Sequence, residues 1–341
     1  MRALVYLGPE QMEIQQWDVP QPKAGEVRVR SRYVGICGSD VHGFLGTTGR
    51  RTAPMVMGHE MSGEISAIGE GVTGLSVGDR VTVQPIFNCG HCTYCKQGLI
   101  NICAEREFMG TMSCNGAFED EFCVRAENIC KLPDNISFEV GALIEPFAVG
   151  YRAVKQAMPV EGKTVMICGA GTIGLMVLKV CKLLGAGKIV MIDLSEDRLE
   201  LARRHGADIT INGRADIDAE LKTYGIRDTI DIAIEAVGAT PTVQQSVTYV
   251  KNHGQVVWVG NAAPMVTLNM QSVVTREVNI QGTYVYTDED FKTCIKLLSE
   301  QPQDFTGIIS EVVALEQATD EFRELSKGAG KKIKVLVDMT K

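Results

Sequence analysis

Residues 163–174 read Lys163-Thr-Val-Met-Ile-Cys-Gly169-Ala-Gly171-Thr-Ile-Gly174, and they decide the fold of the surrounding half of the chain. The run TVMIC is short, apolar and β-branched, as in a strand buried on both faces. Three glycines then follow at the spacing GxGxxG, and LMVLKVCKLLG continues with helical periodicity. In that context the glycines permit a tight turn, close approach of backbone to a pyrophosphate and close helix–sheet packing. Gly169, Gly171, Thr172, Ile173 and Gly174 are therefore candidate dinucleotide contacts, with phosphates facing the free N–H groups of the helix start. The next strand, KIVMID, ends in Asp193. A carboxylate there accepts hydrogen bonds from ribose hydroxyls and repels a 2′-phosphate, which favours NAD over NADP. Arg198 borders the same site, and the helical pattern puts it on the solvated face of SEDRLELARRHG.

Working outward, strand and helix alternate through DIAIEAVG and GQVVWVG, which implies a parallel sheet with right-handed crossovers. Upstream the texture differs. Short Val/Ile segments separated by Gly and Pro (EVRVRSRYVGI, EISAIGEGVTGLSVGDRVTV) predict strands joined by tight turns, in a barrel-like arrangement. The expected division is 1–150, 151–286 and a return of 287–341 to the first domain. The length of 341 residues suits two domains, and 45% hydrophobic residues suit sizeable cores. A net charge of −8 argues against nucleic acid or an anionic membrane as partner. No apolar run is long enough to span a bilayer, and the N-terminal segment lacks the apolar core of a signal peptide. Eleven cysteines with no need for a disulfide framework suit a reducing, cytoplasmic setting.

Four of those cysteines, Cys89, Cys92, Cys95 and Cys103, fall within the stretch CGHCTYCKQGLINIC. Four thiolates so close in sequence can close a tetrahedral shell around one zinc ion. A closed shell offers substrate no position, so this zinc would be structural. The remaining cysteines, Cys114, Cys123, Cys130, Cys168, Cys181 and Cys294, read as small buried hydrophobes apart from Cys37.

Cys37 lies in GICGSDVH, His59 and Glu60 in MGHEMSG, and Glu145 in LIEPFAVG. Taken singly, each is an ordinary core or surface residue. Together CGSDVH, GHEMSGEI, the cysteine lobe, GAGTIG and IDLSEDR resemble, in order and spacing, the zinc-dependent medium-chain dehydrogenases. The resemblance implies an α/β protein with a GroES-like β-barrel catalytic domain and a Rossmann doubly wound parallel sheet, with the active site in the cleft between them. It implies two zinc ions per subunit, NAD as cofactor, and a homodimer or homotetramer.

The branch resembled is that of the polyol dehydrogenases, including sorbitol and galactitol-phosphate dehydrogenases, because Glu145 stands where alcohol dehydrogenases carry a second cysteine. That implies catalytic zinc held by Cys37, His59 and one or both of Glu60 and Glu145, with Asp40 orienting His59. It further implies that Ser39 takes the substrate proton and His42 exchanges it with solvent. The substrate expected is a secondary hydroxyl of a polyol, a polyol phosphate or a related sugar-derived alcohol. Val285, flanked by Tyr284 and Tyr286, stands where sorbitol dehydrogenases carry an arginine, and Phe44 is expected as an apolar wall near the zinc. L-Threonine 3-dehydrogenase or another secondary alcohol dehydrogenase is the alternative activity. A zinc-free quinone reductase relative lacks a use for Cys37, His59 and Glu60. A zinc or thiol redox sensor lacks a use for Asp193. The lysines of KKIK read as a solvated strand end.

Overall fold

The computed structural model describes residues 1–112, 114–157, 159–328 and 331–341. The chain divides into two compact units, Met1–Glu145 with Thr287–Lys341, and Pro146–Tyr286.

The first unit is built on a seven-stranded sheet. Along it lie Ile129–Lys131, Arg80–Val83, Glu60–Ile68, Glu26–Gly35, Lys334–Asp338 and Ile309–Ala314, and Glu121–Arg125 pairs with Glu26–Gly35. A three-stranded sheet of Gln11–Gln16, Arg2–Gly8 and Met55–Val56 joins the same core. That core gathers Leu4, Val27, Val29, Met57, Phe118 and Phe322, among others, all nearly inaccessible to solvent. The pattern EVRVRSRYVG alternates as a strand should: Val27 and Val29 point inward, and Arg28 and Arg30 form ion pairs with Glu121.

One register positions the chemistry. Glu26–Gly35 runs antiparallel to Glu60–Ile68, with Gly35 opposite Glu60. Cys37, two residues past one strand, therefore comes beside His59, which immediately precedes the other. Glycine at position 35 leaves room for the Glu60 carboxylate, since a Cβ there would lie 2.2 Å from Glu60 Oε2. The late strand Lys334–Asp338 pairs on the other side of Glu26–Gly35, with Leu336 opposite Gly35. Lys334 is thereby carried to the same end of the sheet.

The second unit is a six-stranded, all-parallel sheet. Its order is Ile209–Asn212, Lys188–Asp193, Thr164–Cys168, Ile232–Glu235, Gln255–Trp258 and Asn279–Gly282. Numbered within the unit this is 3-2-1-4-5-6, the doubly wound order of dinucleotide-binding sheets. Thr164–Cys168 is buried on both faces, and the helix Thr172–Leu183 packs behind it. Among the described residues no helix is long and apolar enough to cross a membrane.

Candidate functional sites: two metal-donor sets and a dinucleotide turn

The lobe cysteines converge. Cys92 Sγ lies 3.5 Å from Cys95 Sγ, Cys103 Sγ 3.6 Å from Cys89 Sγ, and Cys89 Sγ 3.9 Å from Cys95 Sγ. A tetrahedron with zinc–sulfur bonds of about 2.3 Å has edges of about 3.8 Å, so the sulfurs already stand as such a shell requires. These separations are far beyond a sulfur–sulfur bond, and all four thiols are free. Backbone donors prepare the charge. The Cys95 N–H on Cys92 Sγ brings that thiol down to about 7, while burial pushes Cys103 up to about 11. His91 sits outside the shell, exposed, with its Nδ1 2.9 Å from the Cys89 carbonyl oxygen.

The second set is Cys37, His59 and Glu60, each offering one donor atom within 4.8 Å of the others. His59 and Glu60 are buried and Cys37 is half-buried. Glu145, in the first turn of Ile144–Gln156, is also buried but stands outside that 4.8 Å set. The edge of Phe108 flanks the His59 ring, at 5.2 Å between centroids. Asp40, completely buried, backs the set: its Oδ2 accepts from the Cys37 N–H at 3.3 Å, and its Oδ1 lies 3.5 Å from His59 Nδ1. The latter contact has ion-pair length without hydrogen-bond alignment, and His59 Nδ1 has no other partner among the described residues. Burial alone would raise Asp40 and lower His59. Their mutual attraction outweighs it, holding Asp40 near 2 with help from Arg51 and raising His59 well above the ordinary imidazole value. Soft thiolate, imidazole and hard carboxylate together form a donor set that zinc accepts.

Ser39 and His42 lie in the helix Gly38–Phe44, three residues apart and both exposed, so they share one face.

Two further residues, Lys334 and Arg51, complete this end of the sheet. Lys334, expected at a solvated strand end, is buried. Its Nζ donates to both Glu60 oxygens, at 2.8 and 2.6 Å, and to the Ile36 carbonyl at 2.8 Å. Burial would lower this lysine, but Glu60 and Cys37 outweigh that and raise it. Arg51 holds Asp40 Oδ1 at 2.9 Å. The only hint of Lys334 in sequence is a lysine at the start of an otherwise apolar run, KVLV. For Arg51 there is none.

Phe44 does not line a substrate wall. It is fully buried and packs, tilted, against Phe322 with 5.6 Å between ring centroids, within the core of the first unit. Val285 is half-buried with φ +48, a conformation strained for a β-branched residue, next to fully buried Tyr286. Cys114 and Cys123 are half-buried rather than core, unlike Cys130, Cys168, Cys181 and Cys294.

In the second unit the glycine turn follows the first strand, beside the point where strand order reverses between Thr164–Cys168 and Ile232–Glu235. A Cβ at Gly174 would lie 1.8 Å from the Gly169 carbonyl oxygen, so the turn closes only with glycine. The helix Thr172–Leu183 begins at Gly171 with no side-chain cap, which leaves its N-terminal dipole for an anion. Asp193 closes the turn from the neighbouring strand: Oδ2 accepts from Ala170 N–H at 2.7 Å and Oδ1 from Ser195 N–H at 2.9 Å. Ser195, not Asp193, caps the following helix. Arg198 leaves the solvated face expected for it. Its Nη1 lies 3.9 Å from where a Cβ on Gly171 would stand, and its Nε is buried with no partner among the described residues. The uncapped helix start and the orphaned Nε fit a dinucleotide phosphate or ribose.

Residues 23–134 match the family model of the alcohol dehydrogenase GroES-like domain, and 172–300 that of the zinc-binding dehydrogenases. The chain belongs to the zinc-dependent medium-chain dehydrogenases, on their polyol dehydrogenase branch. It is 34% identical to a probable D-xylulose reductase A of Neosartorya fischeri, over 98% of this chain and 96% of the relative. It is likewise 34% identical to the sorbitol dehydrogenase of Bacillus subtilis, over 99% and 97%. Among solved structures, an alcohol dehydrogenase of Escherichia coli complexed with NADH covers 99% of each chain at 29% identity, with a TM-score of 0.92. The protein is an oxidoreductase of the CH–OH group with a nicotinamide dinucleotide and zinc.

Proposed function

We propose that the enzyme oxidises a secondary hydroxyl of a polyol or related sugar-derived alcohol with NAD, reversibly to the ketone. The observation that carries this is the Cys37–His59–Glu60 set with buried Glu145 as a further carboxylate, since Glu145 stands where the alcohol dehydrogenases carry a second cysteine. Zinc at that set would supply Lewis acidity to the substrate oxygen, and NAD would accept the hydride. A second zinc in the lobe would be structural, holding together the short segments Thr93–Lys96 and Ile100–Ile102.

The chain's own residues do the rest. Asp40 orients His59 and neutralises charge behind it. Lys334 restrains Glu60, and Glu145 is the further carboxylate available at this end. Ser39 receives the proton leaving the substrate hydroxyl, and His42, exposed on the same helical face, releases it to solvent. Gly169, Gly171, Thr172, Ile173 and Gly174 hold the pyrophosphate, Asp193 accepts from the adenosine ribose, and Arg198 closes over the turn. Asp193 favours NAD by repelling a 2′-phosphate. Because Phe44 belongs to the core, the substrate reading rests on the carboxylate donors, while Val285, whose side chain offers no cation to bind sugar hydroxyls, argues against sorbitol itself.

Eleven free cysteines support a reducing, cytoplasmic setting. The exposed edge strand Asn279–Gly282, with exposed Met265, Met270 and Val274 upstream of it, supports assembly as a homodimer or homotetramer. The deciding experiment measures cofactor reduction across polyols, polyol phosphates, L-threonine and simple secondary alcohols. A polyol or its phosphate should give the highest kcat/KM. If L-threonine greatly exceeds all of them, the substrate reading is wrong and the threonine dehydrogenase alternative stands.

A further inference from the structure

We propose that Arg51 is a positioning residue of the metal centre, a buried guanidinium that fixes Asp40 against His59 and thereby sets how tightly the metal is held. The inference rests on reading Cys37, His59 and Glu60 as a zinc site.

Arg51 lies between the helix Gly38–Phe44 and the strand Met55–Val56, in a segment otherwise largely exposed. Its side chain is nevertheless only 3% exposed. A guanidinium is costly to bury, and this one is directed at a single carboxylate. Nη2 donates to Asp40 Oδ1 at 2.9 Å and lies 3.4 Å from the Ser39 carbonyl oxygen, while Nη1 reaches the Arg50 carbonyl at 3.3 Å. The backbone of Arg51 is pinned by a bridge to Met112. The stem crosses the helix where it has no side chain: a Cβ on Gly43 would lie 2.7 Å from Arg51 Cγ.

Asp40 is the junction of the centre. It touches Cys37 through the N–H at 3.3 Å, His59 through Nδ1 at 3.5 Å, and Arg51 at 2.9 Å. Its shortest contact is thus to a residue that donates nothing to the metal. The two contacts to donor residues are long, so neither of them fixes the carboxylate in place. Arg51 does, and it also supplies the positive charge that lets a carboxylate sit buried behind a donor set that already includes a thiol and a second carboxylate. Metal affinity is sensitive to such outer partners, by roughly 10- to 100-fold.

The test uses full-length, zinc-loaded protein and the variants Arg51→Met and Arg51→Gln. Zinc is titrated against a chelator, with the lobe zinc as internal control, and the absorption spectrum is recorded after cobalt replaces the zinc of the Cys37 site. Both variants should release one of two zinc ions at about 10- to 100-fold lower chelator concentration, with an altered cobalt spectrum and an unchanged lobe. Arg51→Gln keeps a planar donor, so it decides the matter if the methionine variant does not fold. In an Asp40→Asn background, Arg51→Met should add little, because its effect passes through Asp40. Wild-type zinc retention and cobalt spectrum in a folded variant, or losses that simply add in the double variant, would overturn the role of Arg51. A wild-type protein that holds zinc only in its lobe would instead overturn the underlying reading of the site.

Discussion

Replacing Lys334 with methionine should make the protein less stable without metal and yet tighten its grip on zinc. Lys334 and Glu60 are 2% and 1% exposed, with both carboxylate oxygens on the ammonium. Methionine fills a similar volume but leaves a buried carboxylate without a cation. Breaking a buried pair from one side costs about 3–5 kcal/mol. In zinc-free protein that loss should appear in full. With zinc at Cys37 and His59, the donor atoms of which lie within 4.8 Å of Glu60's, the released carboxylate gains a cation again. If the metal recovers about half the loss, roughly 2 kcal/mol, linkage requires affinity to rise by about 30-fold. The assay is a chelator competition for the second zinc in wild type, Lys334→Met and Lys334→Met/Glu60→Gln, alongside thermal melts with and without metal. The gain in affinity should vanish in the double variant. Zinc binding in Lys334→Met that is equal to or weaker than wild type would refute the idea that lysine and metal compete for Glu60.

Cys89→Ser should reduce the zinc content by one per chain and lower the melting temperature, read by elemental analysis and calorimetry, whereas Cys37→Ser should abolish turnover and leave the melt nearly unchanged. Asp193→Ser should raise the ratio of kcat/KM for NADP over NAD, and a wild-type ratio in that variant would remove Asp193 from the specificity argument. Ser39→Ala should cut turnover by about 100-fold or more with NAD binding little changed, measured by steady-state kinetics and cofactor titration. Glu119 gives a pH signature. Burial, with Asp120 nearby, pushes its carboxyl from 4.5 up to about 8. The folded protein keeps the proton that the unfolded chain loses, so stability should fall as pH rises between those values. Glu119→Gln should therefore stabilise by roughly 4 kcal/mol near pH 8 and by little near pH 5; an equal gain at both, in melts across that range, would contradict the burial argument.

The second unit is the more legible from sequence because its signals are local. The strand Thr164–Cys168, the glycine turn and the helix Thr172–Leu183 follow one another directly, and Asp193 ends the very next strand. The lobe is legible for the same reason, its four thiols spanning a single short segment. The Cys37–His59 set needed the family's pattern, since only the pairing of Gly35 with Glu60 brings it together. Lys334 reaches Glu60 across 274 residues of sequence, and no periodicity reports such a contact. Arg51 is nearer its partner, but an arginine among Gly, Thr and Arg residues in an irregular segment reads as solvated. Nearness in sequence to the donor segment does not report that the core covers Phe44, and helical periodicity gives Arg198 a face but not its neighbour Gly171.

The strand Lys334–Asp338 also imposes an order on synthesis. Pro146–Tyr286 is complete as a unit long before ribosomal elongation reaches position 334. Cys37, His59, Glu60 and the four lobe thiols are made earlier still, yet the sheet that shelters the first three lacks an inner strand until position 338 has been added. On a nascent chain these donors are thus all present before the strand that shelters them. The strand Lys334–Asp338 then closes the sheet with an ammonium in place, so a segment translated well after the donors seals the centre they form.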